Sequence, residues 1–468
     1  MSGATAGIDE PERGRPEPSE PSPARRAVTM VAPSVITFVI TVTLFASLRG
    51  FDAVGLRLFT VAVLSAVILS LLGTAPLTPV IIAIIGDGTS GRRAIYRVML
   101  LGGIYSVLWS VVTGAALYGF LTGSVGLSTG DFALMTALVF MQSLVWIVLG
   151  AYSATRHHNY FAAIFIFGYV VLFALTYTLH QVKPAYTLAG YAAGIAILLG
   201  TGVCATGLAF AKSTGGTGLV GRAILTFARG NLSASAFHVL YVVAIFLDKI
   251  TVWAWAGQQS NEGLTISGSY TMGSFLGLVP IFALGVTAHF EARATHLVRD
   301  LYRGRLSDIQ RTAEEYKRLY RRDMWVMLFL GLALLGLTAV LATRFFPGDH
   351  EMIKVLLTTG VGCVFLSRIM FDYMVLSFFG QTLVSTMAML VVCVAVLIGV
   401  PFVRFDVWYA SAGFLVGSLV GSLFSQAATG YSLHSFEFHI FHSALKMAKE
   451  ESVRDASRKE KQQLRESR

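Results

Sequence analysis

Twelve long apolar segments restrict this chain more than any other feature. They fall at roughly 31–48, 57–85, 97–122, 131–153, 159–180, 186–211, 233–256, 266–290, 324–345, 353–378, 381–402 and 407–430. Each is near or above the ~20 residues that cross a bilayer. Hydrocarbon tolerates only structures that satisfy every backbone polar group internally, and runs of this length predict helices. The composition agrees: 55% of the 468 residues are hydrophobic and 13% charged, whereas soluble domains carry about 25% charged residues. Mean hydropathy is +0.67. An ordinary water-soluble enzyme is excluded. The fold class to expect is an all-α polytopic membrane protein with about twelve transmembrane helices in two six-helix halves.

The charges set an orientation. The net charge is +10, and in a membrane protein such an excess reports topology before it reports nucleic-acid binding, so no nucleic-acid partner is expected. Placing both ends in the cytoplasm puts 28 Lys and Arg in inside regions and 6 in outside loops. That bias supports twelve spans with both termini cytoplasmic. The first 30 residues are polar and rich in Pro, Glu and Arg, with no short apolar region before a cleavage site, so no signal peptide is read there. Cys204, Cys363 and Cys393 all lie in apolar runs and read as core side chains, not as a disulfide framework or a metal pair.

The expected organisation follows. Residues 1–30 form a disordered cytoplasmic tail, 31–211 an N-terminal six-helix half, 212–232 a cytoplasmic linker, and 233–430 a C-terminal six-helix half. Residues 431–468 form a cytoplasmic amphipathic and charged tail, its apolar face marked by Phe438, Phe441, Leu445 and Ala448. No clear sequence repeat relates the halves, but the prolines that should kink a helix, Pro76 and Pro79 in the second segment and Pro280 in the eighth, occupy corresponding positions. A basic insert spans 291–323. Within it Ile309, Ala313, Tyr316 and Tyr320 recur along one face of a helix. That face could dock a cytoplasmic partner or lie on anionic lipid.

Motifs for chemistry are sparse. Gly216, Gly218 and Gly221 spell GxGxxG, but a dinucleotide fold needs a strand before it, and here an apolar helix precedes it. No P-loop or HExxH is present. His157 with His158, and His439 with His442, lack acidic or Cys companions. No enzyme activity, cofactor or metal is therefore expected. Repeated GxxxG at Gly413, Gly417 and Gly421, with Gly190/Gly194 and Gly273/Gly277, marks close helix crossings.

The informative residues are charges inside the apolar segments, since each is costly there and points to a functional site. On segment 7, Tyr241, Asp248 and Trp255 form one stripe. His238 and Lys249, with Trp253 a turn beyond, form a second stripe beside it. Together they make a polar and aromatic wedge suited to sugar rings or organic cations, or one that only fixes helix packing. Segment 10 carries Arg368 and Asp372 at i,i+4, which can neutralise each other or line a cavity.

Three stretches resemble a known family: FLDKITVW (246–253), FLGLVPIFALGVTAHFEA (275–292) and LVRDLYRGRLSDIQRTAEEYKRLY (297–320), with a fainter match at SLVWIVLGAYS (143–153). They are similar to the PelG family of Pel exopolysaccharide transporters, within the multidrug/oligosaccharidyl-lipid/polysaccharide exporter superfamily. The resemblance implies a bacterial inner-membrane exporter of a growing polysaccharide. It also implies a cytoplasmic glycosyltransferase and other membrane subunits as partners, with the insert as a natural docking surface. Transport would proceed by rocking of two halves about a midplane cavity lined by Asp248, Lys249, Trp253 and Trp255, with Arg368 and Asp372 opposite. The competing readings are a cation-coupled multidrug exporter, a flippase for lipid-linked oligosaccharides and a non-transporting membrane scaffold.

Overall fold

The computed structural model describes residues 53–81, 92–154, 158–209, 232–260, 268–287 and 309–438, with a few helical positions between 290 and 297. The first apolar segment, the N-terminal tail, nearly all of the linker, residues 298–308 and the tail from 439 onward lie outside the described residues. With them lie Gly216, Gly218, Gly221, His157, His439, His442, Phe441, Leu445 and Ala448. Among the described residues there is no strand.

Eleven helices account for apolar segments two to twelve. They are α1 (Ala53–Thr74), α2 (Arg92–Gly119), α3 (Thr129–Ala154), α4 (His158–Val182), α5 (Thr187–Ala209), α6 (Leu232–Ser260), α7 (Gly268–Leu276), α8 (Ile309–Phe345), α9 (His350–Phe378), α10 (Thr382–Gly399) and α11 (Trp408–His434). Among the described residues ten spans are long and apolar enough to cross a membrane, and α4 adds the shorter apolar stretch Ile166–Val182.

Two helices are inverted relative to those of soluble proteins. On α11 the buried face carries Ser411, Gly417, Ser418, Gly421, Ser422, Ser425, Thr429 and Ser432. The exposed face carries Val416, Val420, Leu423 and Phe424. On α2, Ser106 and Ser110 are buried and bond back to carbonyls four residues earlier, while Leu100, Ile104, Leu108 and Val111 are exposed. Lipid tails are as apolar as Leu, so nothing drives large aliphatic side chains inward, and small residues that let backbones approach win the interior.

The glycine pairs are where this happens. A Cβ on Gly413, Gly417 or Gly421 would meet the carbonyl oxygens of Ala395, Val392 and Ala388 on α10, each at 2.9 Å. On Gly190 it would meet the Leu175 carbonyl of α4 at 2.9 Å, and on Gly273 the Met352 carbonyl at the start of α9 at 2.5 Å.

Two halves emerge from the packing. In the first, α1, α2 and α5 pack on α3, and α4 packs on α5. In the second, α7, α8 and α11 pack on α9, and α10 packs on α11. A shift of six helices maps one pattern onto the other, so the repeat that is faint in the sequence is plain in the packing. The prolines behave alike in both. α1 passes into a 3₁₀ turn at Ala75–Leu77, where the Thr78 N–H takes the Ala75 carbonyl that Pro79 cannot serve. α7 is followed by a 3₁₀ segment, Val279–Leu284, containing Pro280.

The halves touch through α1 and α6. The Ser235 hydroxyl donates to the Pro76 carbonyl at 3.0 Å. Further along, Leu64 and Ile68 of α1 pack against Phe246 and Trp253 of α6 and Phe275 of α7.

The insert departs from both readings of its apolar face. α8 is one helix of 37 residues whose first turns continue straight into the span. Ile309, Ala313, Tyr316 and Tyr320 are buried against Phe290, Phe371, Val375, Phe379 and Phe436 of the same half. This face is covered by the chain itself and is free for neither lipid nor a partner. The periodicity marks an apolar face correctly but cannot say what covers it.

Candidate functional site

α6 carries the first charged pair at its centre. Asp248 and Lys249 are both fully buried. The Lys249 Nζ donates to Asp248 Oδ1 at 3.0 Å and to the Ile245 carbonyl at 2.8 Å. It also stands 5.9 Å from the centre of the Phe275 ring. The Tyr270 hydroxyl donates to Asp248 Oδ2 at 3.0 Å, and the Trp253 indole N–H donates to Thr271 Oγ1 at 2.9 Å. Two polar contacts therefore staple α6 to α7 beside a neutral ion pair. Sequential side chains on a helix point about 100° apart, yet the flexible Lys stem folds back and the charges meet.

The rest of the wedge divides. Trp253 faces the contact between the halves, beside Phe275 and α1. Trp255 packs into the C-terminal half with Val252, Tyr270, Val355 and Trp408. His238 lies edge-on to Tyr373 at 5.3 Å, and Phe237 stacks on the same ring at 3.9 Å. The Tyr241 hydroxyl is buried with no hydrogen-bond partner among the described residues. A helical wheel groups these residues by angle, whereas their neighbours separate them.

The second pair sits on α9, inside the C-terminal half. Arg368 Nε and Asp372 Oδ2 are 3.9 Å apart, and the Tyr320 hydroxyl donates to Asp372 Oδ1 at 2.6 Å. Among the described residues, no hydrogen bond or ion pair joins this cluster to Asp248 or Lys249. Sequence reasoning missed Tyr270 and Phe275 as partners of the first pair, Thr271 as the partner of Trp253, and Tyr320 as a partner of the second pair. Only Tyr320 carried a signal, as the last residue of the insert's apolar face.

The halves differ in polarity. The interior of the first holds a neutral cluster, in which Ser70 Oγ lies 3.4 Å from Gln142 Oε1 and accepts from the Trp146 indole at 3.2 Å. Gln142 Nε2 donates to the Tyr191 hydroxyl at 3.3 Å. The second half holds both ion pairs. Every buried side-chain polar atom without a hydrogen bond among the described residues, including Arg368 Nε and Nη2 and Asp372 Oδ2, also lies there.

A family model described as "PelG: Putative exopolysaccharide Exporter (EPS-E)" matches residues 26–441. The chain belongs to the PelG family. No curated protein matches it. Its fold is shared with solved transporters at low identity. A multidrug-resistance MATE family transporter of the MOP superfamily in an outward-facing conformation is 14% identical, with TM-score 0.60, over 89% of this chain and 97% of that one. A variant of the Vibrio cholerae MATE transporter VcmN is 17% identical, with TM-score 0.62, over 90% and 99%. A MOP superfamily transporter from Pyrococcus furiosus is 15% identical, with TM-score 0.59, over 88% and 96%. This PelG-family chain is thus a multi-pass membrane protein with a MATE-like transporter fold.

One consequence of the staple is directly measurable. Tyr270→Phe keeps the ring and removes a bond to a charged, buried carboxylate. We expect a loss of about 1.5–3 kcal/mol, read as a lower unfolding midpoint of the purified protein in SDS titration. A midpoint equal to wild type would show that the bond is not made in solution.

Proposed function

We propose that this PelG-family protein exports a polysaccharide across the bacterial inner membrane by alternating movement of its two halves, with both termini in the cytoplasm. The observation that carries the reading is the position of the Asp248–Lys249 pair. It is buried in a membrane helix, and the adjoining Trp253 and Phe275 form the surface that meets α1 of the other half. A charged pair next to the seam along which halves must part is exposed when they do. Its neutral sum, flanked by aromatic faces, suits a hydroxyl-rich ring. Arg368 and Asp372 then belong to a separate interior cluster of the same half. Pro76, Pro79 and Pro280 mark the points where the two corresponding helices can bend. A cytoplasmic glycosyltransferase and further membrane subunits would feed and accompany the polymer.

The test is polymer released to the medium by a deletion strain, by the strain complemented with wild type, and by strains carrying Asp248→Asn or Lys249→Ala at matched membrane levels. Loss on deletion, recovery on complementation and near-deletion levels in the two variants are expected. Normal release by both variants, folded and inserted, would remove Asp248 and Lys249 from the transport path. Unchanged polymer on deletion, together with new sensitivity to organic cations, would favour a cation-coupled small-molecule exporter instead.

A further inference from the structure

The outward face of α8 carries a second, independent feature. Arg318, Arg321, Trp325, Phe329 and Leu332 recur at steps of three and four, along one stripe of a single unbroken helix. Trp325, Phe329 and Leu332 are 55%, 65% and 49% exposed, in a segment long and apolar enough to cross the membrane, so this stripe faces lipid. Arg318 and Arg321 are exposed on its continuation. Of the charges around them some are engaged, while Glu314, one turn before Arg318, is exposed and pairs with neither arginine among the described residues. Arg322 pairs with Asp323 at 2.7 Å and Arg311 with Glu315 at 3.1 Å. Among the described residues, Arg318 and Arg321 pair with nothing, and at i,i+3 two like charges repel unless an anion lies between them.

Depth decides what that anion is. At 1.5 Å per residue, Arg321 lies about 6 Å and Arg318 about 10 Å along the axis from Trp325. A tryptophan at the end of a lipid-facing stripe marks the membrane interface. The headgroup layer beyond the hydrocarbon is about 5–8 Å deep on each side, and arginine side chains reach across it. Arg321 therefore lies at phosphate level, and the long Arg318 side chain, anchored just beyond that layer, reaches back to it. The opposite face of this stem is covered by the chain's own Phe290, Phe371 and Phe436, which holds the helix upright and keeps the arginines on the lipid side.

We propose that Arg318 and Arg321 form a clamp for the phosphate of one anionic phospholipid, with Trp325 at its glycerol region and its acyl chains along Phe329 and Leu332. A soluble protein partner fits less well, because the stripe runs into lipid-facing surface without a break. Planar guanidinium groups bind phosphate through paired hydrogen bonds.

The test uses the full-length protein purified in a non-ionic detergent, incubated with phosphatidylglycerol or phosphatidylcholine and weighed by native mass spectrometry. Wild type should retain phosphatidylglycerol over phosphatidylcholine. The Arg318→Gln/Arg321→Gln double variant should retain about tenfold less of it. Arg311→Gln, which removes the same charge two turns farther from the membrane, should behave as wild type. Equal retention of the two lipids by wild type would overturn the clamp, as would unchanged retention by the double variant. An equal loss in Arg311→Gln would show diffuse charge attraction instead of a site, and would overturn it too. Both arginines are exposed, so the variants should elute as folded monodisperse protein, and no outcome depends on transport.

Discussion

Lys249→Met should lower the stability of the folded protein by about 3–5 kcal/mol, the cost of leaving one member of a buried ion pair alone. Lys249 is fully covered, and its ammonium serves the Asp248 carboxylate and the Ile245 carbonyl together. Methionine keeps most of the side-chain volume, so the loss is electrostatic and not a cavity. The carboxylate left behind retains Tyr270 as a donor, which offsets only part of the cost. Unfolding midpoints in SDS, read by intrinsic fluorescence, would register it as a clear drop. The double variant Asp248→Asn/Lys249→Met should recover much of the loss, because no unpaired charge then remains, and the recovery measures the coupling of the pair. A Lys249→Met midpoint equal to wild type would mean that water reaches Asp248 in the resting protein and that the pair is not a closed staple.

Gly417→Leu should be strongly damaging, at about 3 kcal/mol or more. A Cβ at this position would stand 2.8 Å from the Ala395 Cβ, 2.9 Å from the Val392 carbonyl oxygen and 3.0 Å from the Val392 Cα. Two of these three are backbone atoms, which no rotamer change can move. α10 and α11 must separate, and contacts along the whole Gly413–Gly421 seam loosen with them. Gly336→Leu on α8 is the matched control. Nothing lies within 4 Å of a Cβ there, and replacing Gly in a helix interior is mildly favourable. Expression and monodispersity of the two variants side by side would separate the cases. Equal behaviour would show that the α10–α11 crossing is wider than described.

Much of the architecture is legible in the chain itself. Eleven of the twelve apolar segments coincide with described helices, because in a bilayer a long apolar run has no alternative to satisfying its backbone as a helix. The GxxxG steps identify the α4–α5, α7–α9 and α10–α11 crossings, since only glycine permits backbone contact there. The stretches 246–253, 275–292 and 297–320 carry the resemblance to the family, and the matched region extends across residues 26–441.

The site was legible only as a set of charges. Asp248 and Lys249 stand out because ionisable residues are expensive in hydrocarbon, and so do Arg368 and Asp372. Their partners do not. Tyr270 and Phe275 lie on α7, and Tyr320 lies at the base of α8, about fifty residues before the carboxylate it serves. Nothing in their own composition distinguishes them from other aromatic and hydroxyl residues of membrane helices.

The sequence alone therefore determined that the chain is a polytopic helical membrane protein, which segments cross, where helices approach most closely, and which side chains are too costly to be incidental. Tertiary structure decided the rest: that the packing of five described helices repeats in the second half, that Trp253 and Trp255 part company, that the two ion pairs occupy separate clusters, and that the insert's apolar face is covered by its own half. The physical reason is that periodicity fixes an angle about one helix axis only. Lipid and protein interior are equally apolar, so hydrophobicity cannot say which face meets which neighbour. That choice is made by packing between helices far apart in the chain.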